Sequence, residues 1–287
     1  MRKVILVSLT ILLLCSAAAS EVQAQQPTPT PGSLTFYYDY TVFPGKEDDL
    51  MTLINAVGAP VRDRLMAEGV VMAWGLETPV LRYPGGTTHL IWFTVANWAG
   101  VEKVLNAMEA RLSQLAREEA QPARGRPRPA MTTAERSRAT FDMSKTRDWL
   151  VRDLVAGFGP PPAAGVLPFT RYNFVKVKPG KGPDYRRTWE KYNKPVFDKL
   201  VADRVVLAYG LAAEEVKTDG DFTHFVWIAT ANMADADKIG PAFTADRARR
   251  SEKERNEITE AFLESTEPDK ARSIVTRSRI FKLGPQQ

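Results

Sequence analysis

The chain has 287 residues, 44% of them hydrophobic and 25% charged, with a formal net charge of +5. That length allows two domains of ordinary size. The basic residues are scattered among acidic ones, as in 247–260, rather than gathered in a stripe with interleaved aromatics, so no nucleic acid partner is expected. Cys15 is the one cysteine, which excludes a disulfide framework and cysteine-ligated metal.

Arg2 and Lys3 precede an apolar run at 4–14, then small residues at 16–20 and the cleavage-like Val22-Gln23-Ala24. This is the pattern of a secretory signal over 1–24. The run is too short for a transmembrane helix, which needs roughly 20 residues. The mature chain is therefore expected to be secreted or periplasmic, with no transmembrane segment and no thiol. A Pro/Thr-rich linker follows at 25–33.

Residues 36–42 are rich in aromatic and β-branched side chains and end at the turn Pro44-Gly45-Lys46, which predicts a strand. Leu50, Ile54, Val57, Val61 and Leu65 recur at helical spacing, and Pro60 inside that pattern should kink or split the helix. Strands are expected at 70–76 and 87–96. Asn97 stands where a helix N-cap belongs, before helical residues at 101–119 and 133–143. A fourth strand is expected at 149–155, and 157–168, rich in Pro, Gly and Ala, reads as a linker.

The same order then begins again. A strand at 172–177 precedes a helix marked by Tyr185, Trp189, Tyr192, Val196 and Leu200 and interrupted by Pro195. Strands at 205–211 and 222–231, the cap Asn232, helical residues at 234–249 and 252–263, and a strand at 273–282 complete it. Sliding the chain by 135 residues aligns 44–98 with 179–233 without a gap, and 20 of those 55 positions are identical. Chance would give about three at a background of ~6%. The two histidines, His89 and His224, coincide, as do Trp92 with Trp227. The chain thus reads as two βαββαβ repeats, 34–156 and 169–287.

In the third strands both alternating faces are mainly apolar, so both should be covered. Helices cover one face, and the sheet of the other repeat most simply covers the second. The expected class is α+β: tandem ferredoxin-like βαββαβ repeats, their antiparallel sheets packed face to face as an intramolecular α/β barrel. Ala73 and Gly75, with Ala208 and Gly210, are small enough to let a helix approach. Trp74 and Tyr209 are therefore expected to point into the inter-sheet space.

The βαββαβ order, the Pro-Gly turn after strand one and the apolar third strand resemble the dimeric α/β-barrel superfamily of ferredoxin-like domains, over about 34–155 and 169–283. The resemblance implies a cavity between sheets. That superfamily includes cofactor-independent monooxygenases, muconolactone isomerases and haem-dependent chlorite dismutases, so it does not choose an activity.

His89 and His224 are the titratable candidates for catalysis, as a general base near neutral pH. The competing reading is that each hydrogen-bonds locally at a strand entrance. No second ligand stands at metal spacing beside either, so neither metal nor cofactor is expected, haem included. Tyr38 and Tyr40, in a polar-aromatic first strand with Tyr37 and Asp39, join Trp74 and Tyr209 as candidate ligand-binding residues. Gly85-Gly86 and Gly220 lie between strands and do not form a phosphate loop, which opens a helix. Three functions follow: a secreted binder of a small hydrophobic molecule, a cofactor-independent monooxygenase or isomerase with a histidine base, or a structural module with a filled interior.

Overall fold

Pro60 shows how the sequence shapes the helical layer. Its helix forms as α1 (Glu47–Leu53) and α2 (Ala59–Ala67), joined by a wider π turn at Ile54–Gly58. Proline brings no N–H to the carbonyl four residues back, and that carbonyl, Ala56 O, accepts from Arg111 Nε at 3.0 Å instead. At the position matching Pro60, Pro195 opens α6 (Lys194–Ala202) directly after α5 (Gly182–Tyr192). The computed structural model describes residues 30–82, 86–121, 130–163, 165–217 and 222–284. The expected signal at 1–24, Gly85 and Gly220 lie outside these.

These helices pack on strands β1 (Leu34–Tyr40), β2 (Val71–Pro79), β3 (His89–Val95) and β4 (Arg147–Phe158) in the first half of the chain. The second half has β5 (Phe169–Val175), β6 (Ala208–Glu214), β7 (His224–Thr230) and β8 (Arg272–Leu283). The first half adds α3 (Trp98–Ala120) and α4 (Thr133–Thr140), the second α7 (Met233–Ala236), α8 (Ile239–Ala248) and α9 (Glu252–Ser265). Asn97 caps α3 by accepting from Gly100 N, and Asn232 caps α7 by accepting from Asp235 N. Among the described residues, no helix is long and apolar enough to cross a membrane.

The strands form one closed antiparallel barrel in the order β1-β3-β2-β8-β5-β7-β6-β4. The expected intramolecular barrel thus forms as one closed sheet, joined along both seams rather than only packed face to face. Each long fourth strand pairs with the first strand of its own half and with the second strand of the other, through β4·β6 and β2·β8. Closure satisfies the backbone groups that an open sheet would leave along its edges.

Helices cover the outside. Leu65, Trp74, Phe93, Val101 and Val104 pack together there on one side, and Trp189, Phe197, Leu200, Tyr209 and Ile228 on the other. The inside holds Tyr37, Trp92, Trp149, Tyr172, Phe174 and Phe225. Trp74 and Tyr209 therefore face the helices rather than the inter-sheet space, and each bonds a helical carboxylate: Trp74 Nε1 donates to Asp63 at 2.9 Å, and the Tyr209 hydroxyl to Asp198. The small residues turn inward for a steric reason. Gly75 lies opposite Trp92 and Gly210 opposite Trp227. A Cβ there would come within 2.9 Å of the Trp92 ring and 2.5 Å of the Trp227 ring. A narrow barrel can hold two indoles from β3 and β7 only where the neighbouring strand has no side chain.

Candidate active site in the barrel interior

Alternation along β2 sends Ala73, Gly75 and Glu77 inward. In β4 it sends Trp149, Val151 and Asp153 inward, after which a bulge between Asp153 and Val155 reverses the phase and turns Val155 to the helices. Two inward carboxyl groups thus meet in this part of the barrel, Glu77 at 1% exposure and Asp153 at 3%, while a third, Asp39 at 9%, lies beside Leu90 and Trp149 in a separate pocket.

Their surroundings differ. Glu77 accepts from Trp92 Nε1 and the Tyr172 hydroxyl, both at 3.0 Å, from the Thr276 hydroxyl, and from Thr170 Oγ1 at 3.5 Å. Burial pushes its pKa up, and these four donors pull against that shift. Asp153 has two longer bonds, from Trp227 Nε1 at 3.3 Å and from Thr35 Oγ1 at 3.5 Å. Burial raises its pKa to about 7, with Trp227 and Thr35 opposing too weakly to restore the ordinary carboxylate range.

Both carboxyls line a cavity of about 90 Å³ whose walls include Tyr37, Trp92, Tyr172 and Trp227. Its mouth is made by Pro160, Pro161 and Pro162, the segment that follows β4. Toward the opposite end the barrel is narrowed by aromatic packing to a smaller pocket of about 30 Å³ beside Asp39: Trp149 stacks on Tyr37 at 4.0 Å and meets Phe222 and Phe225 edge-on at 5.5 Å. An engineered apolar cavity of roughly 150 Å³ accepts benzene. A ligand here is therefore small, or enters with one end while the rest occupies the mouth.

The residues singled out in sequence lie elsewhere. His89 alternates with Ile91 and Phe93 on the helix side, and His224 with Val226 and Ile228. His89 Nδ1 lies 3.0 Å from Thr88 Oγ1, which also accepts from Val42 N–H; His224 Nδ1 lies 2.9 Å from Thr223 Oγ1, which accepts from Val177 N–H. The Tyr185 ring meets His224 edge-on at 5.5 Å. Burial lowers both imidazoles to about 4, so they are neutral at pH 7. Tyr38 and Tyr40 also point outward, Tyr38 beneath the Arg62 guanidinium at 5.8 Å and Tyr40 against Phe141 at 4.5 Å. The structure brings none of these six residues to the interior cavity.

Glu77 and Asp153 escaped the sequence reading. The available signal was a charged residue inside the apolar stretch 149–155, in phase with Trp149 and Val151. Among the described residues, no three His, Cys, Asp or Glu side chains converge as a metal site.

No family model matches the chain, and no curated protein matches it. Solved structures do. Two proteins, each described as "putative monooxygenase", come from Lactobacillus acidophilus NCFM and Fusobacterium nucleatum subsp. nucleatum ATCC 25586. The first superposes with a TM-score of 0.56 at 10% identity, covering 89% of this chain and 98% of its own. The second gives 0.56 at 10%, covering 90% and 97%. At such identity the likeness is one of fold alone, a closed antiparallel α+β barrel.

Proposed function

We propose that the barrel interior is an active site in which Asp153 removes a proton from a small apolar substrate without a cofactor. One observation carries this reading: a carboxyl on the wall of an enclosed apolar cavity, held by two long hydrogen bonds, with its pKa raised to about 7. A general base works best when its pKa is close to the working pH, and burial is how a carboxylate is brought there. Proton removal opens two routes. The electron-rich anion can react with dioxygen, or the proton can return at another carbon and complete an isomerisation. The fold shared with the two proteins described as monooxygenases supports the first route.

The base is thus assigned to Asp153 in place of His89 or His224, which face the helices. The same placement speaks against haem: an axial histidine must face the space that holds the macrocycle, whereas neither lines the cavity and both are more than nine-tenths buried. A cavity of about 90 Å³ also disfavours the wholly filled interior of a structural module. A secreted carrier would need the cavity but not a carboxyl tuned toward neutrality. The repeat reading, two ferredoxin-like βαββαβ units in tandem, is supported by the equivalent Trp74–Asp63 and Tyr209–Asp198 bonds, each 135 residues apart.

The test is dioxygen uptake and proton-detected isomerisation over a panel of single-ring compounds carrying an acidic C–H or O–H. Wild-type turnover should fall at least about 100-fold in Asp153→Asn and persist in His89→Gln and His224→Gln. Full activity in Asp153→Asn, or no turnover of any compound by wild type, would remove the reading.

A further inference from the structure

We infer that the pocket beside Asp39 is a second binding site, built for the H–N–C=O edge of a small neutral amide. It goes beyond the reading of Asp153 as base and stands independently of it.

The repeat explains why polar groups are left over at this end of the barrel. The 135-residue offset that matches the two halves sets Asp39 against Phe174. On the adjoining fourth strands, Asp39 pairs with Arg147 and Phe174 with Arg272. The first half thus offers its arginine a carboxylate, and the second offers a ring. Arg147 Nη2 lies 3.9 Å from Asp39 Oδ2. Arg272 instead lies over Phe174, its Cζ 4.6 Å from the ring centroid. Among the described residues, no ion pair joins Asp39 to Arg272, and two buried atoms are left without a hydrogen-bond partner: Asp39 Oδ1 and Arg272 Nε. Thr87 and the two guanidiniums favour the ionised form of Asp39 against its burial.

Both residues line the same pocket of about 30 Å³. A water needs roughly 10–15 Å³ of such space, so there is room for one flat group of a few heavy atoms. Leu90, Trp149, Phe174, Phe222 and Ile274 give the pocket apolar walls that suit the faces of such a group. Its edge is left for Asp39 and Arg272. Hydrogen-bond sense then selects the edge. An ionised carboxylate only accepts and a guanidinium only donates, so the complement is a donor beside an acceptor. A carboxylate ligand would answer Arg272 but press like charge against Asp39 Oδ1. An ammonium would answer Asp39 but meet two guanidiniums. A hydroxyl would have to serve both atoms from a single oxygen. An amide presents N–H to Asp39 and C=O to Arg272 from two atoms, and it carries no net charge into the enclosure.

The experiment titrates the 15N-labelled full chain at pH 7 with formamide, formate or methanol and follows the Arg272 Nε–H resonance, assigned by its loss in Arg272→Lys. Reading at Arg272 separates this pocket from the Asp153 cavity. Formamide should move the resonance saturably and bind at least about tenfold more tightly than formate or methanol. In Asp39→Asn the negative charge is gone and an N–H faces the pocket, so the preference should turn toward formate, with near-ultraviolet circular dichroism confirming the fold. Should that variant not fold, the wild-type ratios decide. Formate or methanol binding as tightly as formamide, or an unchanged preference in folded Asp39→Asn, overturns the inference. So does the absence of any saturable movement with formamide, which would mean that water alone serves these two atoms.

Discussion

Trp227 donates its indole N–H to Asp153 at 3.3 Å, while its counterpart Trp92 donates to Glu77 at 3.0 Å. The two tryptophans occupy equivalent places on β7 and β3, yet their acceptors come from different strands. Glu77 lies on β2 opposite Ser278, and Asp153 lies on β4 opposite Ala212. Each seam of the barrel holds one carboxyl facing one indole. Glu77 is surrounded by donors and Asp153 is not, which makes the first an anchor and the second a base.

Removing the Asp153 charge should trade activity for stability. Its pKa is raised from 3.8 to about 7, so between those values the folded state holds a proton that the unfolded state has lost. Stability from this group therefore falls as pH rises through that window. Asp153→Asn should be more stable than wild type at pH 8, by up to about 4 kcal/mol, and the gain should be smaller at pH 5. Urea unfolding at the two pH values measures it. A variant that is less stable at pH 8 contradicts the buried-charge explanation.

The histidines should act in the opposite direction. Burial lowers both from 6.5 to about 4, so between those values the unfolded chain binds protons that the folded chain excludes. Each should lose stability as pH falls through that window, by up to about 3 kcal/mol. The difference in unfolding free energy between wild type and His89→Gln/His224→Gln should narrow by several kcal/mol from pH 7 to pH 4. A difference independent of pH would show that neither imidazole is held neutral.

How much of this was legible beforehand depended on periodicity. Every strand and the two split helices follow from alternation, from 3.6-residue spacing and from Pro60 and Pro195. Facing was harder. Ala73 and Gly75 fit either a close helix or a bulky neighbour inside the barrel, and only the pairing of Gly75 with Trp92 decides between them. The strand pairing along the seams of the expected barrel was hidden for a similar reason, because the partners that fix it lie far apart in the chain, as with Gly75 and Phe281. The bulge after Asp153 breaks the alternation that would otherwise place Val155 beside it.

The facing of the glycines has a direct check. Gly75→Ala would bring a Cβ to 2.8 Å from Ile280 O and 2.9 Å from the Trp92 ring, and Gly210→Ala to 2.5 Å from the Trp227 ring. Each should destabilise the fold by about 1–3 kcal/mol and shift tryptophan fluorescence as an indole leaves its carboxyl. Alanine variants with wild-type stability and spectrum would mean the indoles do not fill those places.

Trp227→Phe should raise the Asp153 midpoint further, since the indole N–H is one of two groups that lower it. An activity–pH profile should move its lower limb to higher pH by a measurable fraction of a unit. The matched change Trp92→Phe should cost stability, by about 1–3 kcal/mol, and leave that limb in place. An unmoved limb in Trp227→Phe, or the same shift in both variants, would separate the limb from Asp153.

The most direct measurement is the ionisation of Asp153 itself, read from the carboxyl carbon by NMR in protein labelled with 13C at aspartate and assigned through Asp153→Asn. The expected titration has a midpoint near 7 and moves when cyclopentanol fills the cavity. A midpoint in the ordinary carboxylate range near 4, insensitive to an occupied cavity, would contradict Asp153 as the base.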